Sequence, residues 1–263
     1  MPRTWEPPQA ATSLELRTKL GTPTEPWGAW WNLGLYPEAG EGVAIFQATK
    51  DVSRRRRWPD RVVDLEAIGA RRARTKVRRY CAANRLNRLG TLTYRGAGEH
   101  DQRVLRADVG EFFRRLRDAG DGQRFAYLWV AEWHPKGHGL HVHFAVGRFI
   151  RRTYIEEAWP HGFVHIKLIG DLPAGAPALA EARKVAWYLA PYVSKALGEG
   201  RERGMHRYEV AQGFMPRVVR FLGTQTGVID EASRAMGSPP DRRSYSEAWT
   251  GYTGPPAVHL SWR

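Results

Sequence analysis

Two histidines two residues apart, in the hexapeptide GLHVHF (Gly139–Phe144), are the residues of this chain best placed to do chemistry. Side chains alternate along a strand, so Leu140, Val142, Phe144 and Val146 face one side while His141, His143 and Ala145 face the other. A hairpin loop of the six residues His134 to Gly139 would pair Trp133 with Leu140 and set Glu132 opposite His141. Cross-strand Cβ atoms lie about 4.5–5.5 Å apart, close enough for Glu132, His141 and His143 to share one ion with positions left open for substrate. Such mixed ligation accommodates Mn²⁺ or Mg²⁺ in phosphate chemistry, whereas imidazole alone favours Zn²⁺. An isolated His-x-His is more often part of a solvated sheet face. The matched parity of Glu132 is what favours a metal site here. His134 and His138, in the loop, are alternative ligands under a shifted register.

A second constellation lies in WYLAPYVSKAL, where Tyr188, Tyr192 and Lys195 share one face of a continuous helix. Glu181 and Lys184 fall on the same side, and the apolar stripe of Leu179, Ala182, Ala186, Leu189 and Val193 lies well round from them. The tyrosines are therefore expected off the packing face. A phenol with a pKa of about 10 is a poor nucleophile at neutral pH and needs a metal on the phosphate, a base or a nearby cation, which Lys195 would supply. Two amphipathic tyrosines on a partly exposed helix are an equally common use of this spacing. Pro191 lies between them, removes an amide donor and predicts a kink or restart near Ala190.

The elements that must position these groups follow from periodicity. A basic amphipathic helix is expected from about Ala67 to Leu86, with Ala70, Ala73, Val77 and Cys81 inward and Arg71, Arg72, Arg74, Lys76, Arg78 and Arg79 outward. LGTLTY (Leu89–Tyr94) reads as a strand, residues 107–119 as a helix with Leu105, Val109, Phe112, Phe113 and Leu116 buried, and 124–133 and 139–146 as the hairpin. A short helix near 153–158, a strand near 162–168 and a helix from about Leu179 follow. HRYEVAQGF (His206–Phe214) offers a further strand, and the stretch from Gly237 reads as a loosely held tail. Strands alternating with helices around an antiparallel hairpin indicate an α+β two-layer sandwich. The expected partition is an N-terminal extension and basic linker over 1–66, a central domain over 67–215 and a C-terminal extension over 216–263.

The 263 residues carry 41 Lys+Arg against 27 Asp+Glu, a net charge of +14 that attracts polyanions. Thirteen Lys or Arg against three acids lie between Arg54 and Arg88, so the charge is concentrated. Cys81 is the only cysteine, which excludes an internal disulfide and any multi-Cys zinc site and fits a reducing cytoplasm. No apolar run approaches the length of a membrane span, and no signal-peptide core is present near Met1. A cytoplasmic protein without membrane attachment is expected.

TLTY (Thr91–Tyr94), GLHVHF with Glu132 before it, and YLAPYVSK (Tyr188–Lys195), in that order, resemble the three motifs of HUH rolling-circle replication initiators with paired tyrosines. The resemblance covers residues 88–197. It implies a central, five-stranded antiparallel sheet flanked by helices, a divalent metal on Glu132, His141 and His143, nucleophiles at Tyr188 and Tyr192, and Lys195 as the motif lysine. It further implies nicking of single-stranded or hairpin origin DNA at a plasmid or phage origin, through a 5′-phosphotyrosine with release of a priming 3′-OH. The departure is Pro191, where that motif commonly has lysine. No P-loop motif occurs, so a host helicase is implied beside the polymerase. The basic helix would contact phosphates without reading sequence. The neighbouring readings are a related HUH transposase or mobilisation relaxase, and, from another class, a non-catalytic basic nucleic-acid binder stacking bases on Tyr127, Trp129 and Trp133.

Overall fold

The apolar side of GLHVHF has to be covered, and in the computed structural model it lies at the centre of a sheet. Residues 30–47, 65–167, 176–198 and 208–263 are described. They fall into two compact units, one within Arg61–Pro216 and the other within Met1–Asp60 and Arg217–Arg263. In chain order the elements are β1 (Trp30–Tyr36), β2 (Glu41–Gln47), α1 (Leu65–Ala83), β3 (Arg88–Tyr94), α2 (Gln102–Asp118), β4 (Tyr127–Trp133), β5 (Leu140–Val146) and α3 (Arg152–Ala158). They continue as β6 (Gly162–Lys167), α4 (Ala178–Gly198), β7 (Tyr208–Val210), β8 (Val219–Gly223), α5 (Gln225–Met236), β9 (Arg242–Tyr245) and β10 (Ala257–Ser261). The fold is α+β, with two five-stranded antiparallel sheets.

The unit within Arg61–Pro216 carries the sheet β6-β3-β5-β4-β7, and β5 is buried along its whole length. On one face α2 lays Leu105, Val109, Phe112, Phe113 and Leu116 onto Leu92, Trp129, Val142 and Phe144. Asp101 caps α2 by accepting from the Arg103 amide at 2.7 Å. Each large side chain fully buried in this cluster, such as Phe112, stabilises by about 1.5–3 kcal/mol relative to exposure. Gly90 lets the Phe144 ring cross β3, because a Cβ there would strike it. On the other face α1 and α4 cover Leu89, Leu128, Val130 and Ala145 with Val77, Tyr80, Val185, Leu189 and Val193. Trp129 is buried in the first cluster, with Tyr127 and Trp133 packed against it, so these aromatics form core and not a base-stacking platform.

The second unit shows what the sequence pattern missed. Its sheet, β8-β1-β2-β10-β9, draws strands from both sides of the central unit in sequence. Helix α5, capped by Thr224 through the Gly227 amide at 3.1 Å, packs Val228, Ile229 and Ala232 on Leu33, Leu35, Val258, Leu260 and Trp262. The stretch from Gly237 is therefore not a loosely held tail. It contributes β9 and β10, and buried Trp262 donates from Nε1 to the Ser238 carbonyl at 2.9 Å.

Candidate active site

The loop between β4 and β5 sets the register. His134 N donates to Gly139 O at 2.8 Å, which closes the hairpin and pairs Trp133 with Leu140 and Glu132 with His141. Gly139 has a φ of +74°, and a Cβ there would run into the Glu99 carbonyl, which accepts from the Leu140 amide at 2.7 Å. Glycine is required at this position by both the left-handed backbone and the close approach.

Glu132, His141 and His143 converge on the face that α1 and α4 leave to them. Nε2 of His141 lies 3.1 Å from Nε2 of His143, and Glu132 Oε2 lies 3.3 Å from each. Three ligand atoms in a triangle of these edges fit one face of a coordination shell. Tetrahedral ligation at bond lengths of about 2.0–2.1 Å gives edges of about 3.3–3.4 Å, and octahedral ligation about 2.8–3.0 Å. Both histidines are buried. Burial, and then the neighbouring His141, push the His143 imidazole down to about 4; burial likewise lowers His141, although Glu132 opposes it. Both rings are thus neutral near pH 7, the state in which imidazole offers a lone pair to a cation.

Thr91 of β3 pairs with His143, and its Oγ1 lies 3.2 Å from His143 Nδ1. That contact fixes the ring so that Nε2 faces the cluster. Nothing in the sequence beyond its place in TLTY marks Thr91 as a partner of His143. The readable signal was parity: Thr91 and Thr93 fall on the polar side of TLTY. His134 lies beside the cluster, with its ring centre 5.6 Å from that of His141, but belongs to no metal-binding group among the described residues; nor does His138.

The tyrosines come to the same place. The Tyr192 ring is stacked on His143, with centres 4.1 Å and planes 27° apart, while the Tyr188 ring centre is 6.5 Å from that of His143. Tyr192 donates to the Tyr188 hydroxyl at 3.3 Å. Burial, then this hydrogen bond, raises the Tyr192 phenol above its ordinary pKa. Neither ring points fully away from the packing face as expected; both are partly buried at the margin of the α1–α4 core. The helix also does not stop at the proline, for α4 runs unbroken through Pro191. Pro191 is exposed, and so is Trp187, whose carbonyl loses its helical donor, so solvent can reach the broken position. Lys167 of β6, which no sequence motif marks, places Nζ 4.1 Å from the centre of the Tyr188 ring. The Lys195 side chain lies outside the described residues, as does the run Arg54–Arg57.

Arg71, Arg72, Arg74, Lys76 and Arg78 are exposed on α1 and Arg79 is partly so, while Ala73, Val77 and Tyr80 on the opposite side are buried. The helix presents cations outward as its sequence predicts.

A model of the family described as replication-associated protein ORF2/G2P matches residues 87–197, less than half of the chain. The matched segment contains Glu132, His141, His143, Tyr188 and Tyr192. No curated protein and no solved structure matches the chain. The family likeness supports a role in initiating DNA replication, with DNA as the partner. No helix among the described residues is long and apolar enough to cross a membrane.

Proposed function

We propose that this protein is a cytoplasmic replication initiator that nicks and rejoins single-stranded or hairpin DNA at a plasmid or phage origin, using a tyrosine nucleophile beside a divalent metal. The reading is carried by one observation: the Tyr192 ring lies on His143, a member of the Glu132–His141–His143 cluster, inside the segment matched by a replication-associated family. A divalent ion on that cluster, Mn²⁺ or Mg²⁺, would polarise the scissile phosphate. Glu132, His141 and His143 would hold it, with Thr91 orienting His143. The catalytic domain would span residues 67–215, and the cations of α1 would hold the DNA backbone.

Tyr192 initiates. Its oxygen attacks the phosphorus, the P–O3′ bond breaks, and the 5′-phosphate stays on the tyrosine. The phenol loses one proton and the departing 3′-oxygen takes one up, leaving the 3′-OH that primes a host polymerase behind a host helicase. Because the Tyr192 phenol is held protonated, attack and proton loss are linked; Lys195 would stabilise the developing phenolate. Tyr188, whose hydroxyl is 3.3 Å from that of Tyr192, takes the second transfer that closes the circle. Incubation with Mn²⁺ and single-stranded DNA from the chain's own replicon tests the reading. The expected products are a strand whose 3′ end a polymerase extends and a partner fragment whose 5′ end is blocked to exonuclease. Intact DNA at every divalent ion tried contradicts it.

A further inference from the structure

The outer strand β6 continues the face of the cluster. Its register with β3 pairs Phe163 with Thr93, His165 with Thr91 and Lys167 with Leu89, and β3 in turn pairs Thr93 with His141 and Thr91 with His143. Paired residues project to the same side of a sheet, so Phe163, Thr93, His141 and Glu132 form one cross-strand row. His165, Thr91 and His143 form the next. Along β6 the odd positions 163, 165 and 167 are exposed, while Val164 and Ile166 pack against the α2 side of the core. Phe163 is 67% exposed, so its ring face is open to solvent on the side of the sheet that carries the cluster. Its strand is anchored where it begins, because Thr93 Oγ1 donates to the Phe163 carbonyl at 3.2 Å. Lys167, at the other end, has its ammonium over Tyr188.

An aromatic face and a cation on one rigid strand, opening toward a cluster suited to phosphate chemistry, match the needs of an unpaired nucleic-acid strand. Bases stack on aromatic rings whatever their identity, and cations track the backbone. Strand spacing places Phe163 about 10 Å from His141 along their shared row, within a few nucleotides of the scissile position.

We infer that Phe163 and Lys167 form the rail on which single-stranded DNA enters the site, Phe163 stacking a base near the scissile phosphate and Lys167 neutralising a phosphate next to Tyr188. This rests on the nicking function proposed above. The rail favours an unpaired strand, since a base inside a duplex has no free face to offer Phe163.

Binding separates the two contributions without any need for cleavage. Two probes are compared in the Tyr188→Phe, Tyr192→Phe background: oligo(dT) of about 12 nucleotides, and an abasic strand of the same length and charge. The parent protein should prefer oligo(dT). Phe163→Ala, an exposed substitution, should cost about tenfold on oligo(dT), the loss of one base stack, and leave abasic binding unchanged, while Phe163→Tyr keeps the preference. Lys167→Gln should weaken both probes alike and reduce the salt slope by about 0.7. A dT preference that survives intact in Phe163→Ala overturns the inference while leaving the nicking function standing. A parent protein that binds neither probe overturns both.

Discussion

The Tyr192 ring lies against the His143 imidazole at 4.1 Å between centres, whereas Tyr188 stands farther off at 6.5 Å with the Lys167 ammonium on its face. Two tyrosines one helical turn apart therefore have different surroundings, and under the two-step transfer proposed above different parts are expected of them. Tyr192→Phe should reduce the first cleavage of an origin oligonucleotide at least about hundredfold, while Tyr188→Phe should cleave and fail to rejoin. Greater loss of first cleavage in Tyr188→Phe would reverse the order.

Thr91→Val tests the contact behind His143. Removing the partner of Nδ1 leaves the cluster's own donors in place but frees the ring to rotate, and such losses cost about 10–100-fold in metal affinity. Global stability should change by only about 1 kcal/mol. Calorimetric titration with Mn²⁺ reads the first and urea denaturation the second. Unaltered affinity would show that Thr91 does not orient the ligand.

In metal-free protein His143 titrates near about 4 when folded, against about 6.5 for an unfolded histidine. Between those values the unfolded chain binds the extra proton, so this residue's contribution favours folding increasingly as pH rises from 4 to 6.5 and levels off above. His141, lowered by burial, acts in the same direction. Denaturation midpoints with chelator present should climb more steeply across that window in the parent than in His143→Gln. Parallel curves would show that the imidazole is not held neutral by its surroundings.

Gly139→Ala should cost at least about 1–2 kcal/mol from the left-handed backbone alone, with further loss from the clash against the Glu99 carbonyl. Because Gly139 immediately precedes β5, the displacement reaches His141, and Mn²⁺ affinity should fall together with melting temperature. A variant that melts like the parent and binds metal equally would mean that the hairpin tolerates a different turn.

Replacing Arg71, Arg74 and Arg78 with Gln should weaken single-stranded DNA binding and lower its salt slope by about 0.7 per lost phosphate contact, with cleavage of saturating DNA preserved. An unchanged slope would make α1 a solvated face only.

The cluster was legible in the sequence because its geometry is local. A six-residue loop fixes the β4–β5 register, and strand parity then puts Glu132 opposite His141. That Tyr188 and Tyr192 share a helix face was legible through helical spacing, whereas their packing at the margin of the α1–α4 core was not. Pro191 misled, since a proline on the exposed side of a helix packed elsewhere leaves its missing hydrogen bond to solvent and the helix continues. The second sheet was not legible. Its pairing of Leu33 with Phe221 and of Ile45 with Ala257 joins segments some two hundred residues apart, and short strands such as Arg242–Tyr245 carry too little periodicity to announce their partners. Lys167 over Tyr188 was hidden similarly, because it depends on where α4 crosses a strand to which no local pattern connects it.

A covalent adduct tests the central claim most directly. The parent protein is incubated with Mn²⁺ and single-stranded origin DNA, denatured, digested, and the nucleotide-bearing peptide sequenced by mass spectrometry. A nucleotide linked through 5′-phosphate to Tyr192 or Tyr188, absent with chelator and absent from His143→Ala and from the Tyr188→Phe, Tyr192→Phe double variant, is the predicted result. DNA that is cleaved equally well by that double variant, or an adduct that forms undiminished without divalent metal, would contradict it.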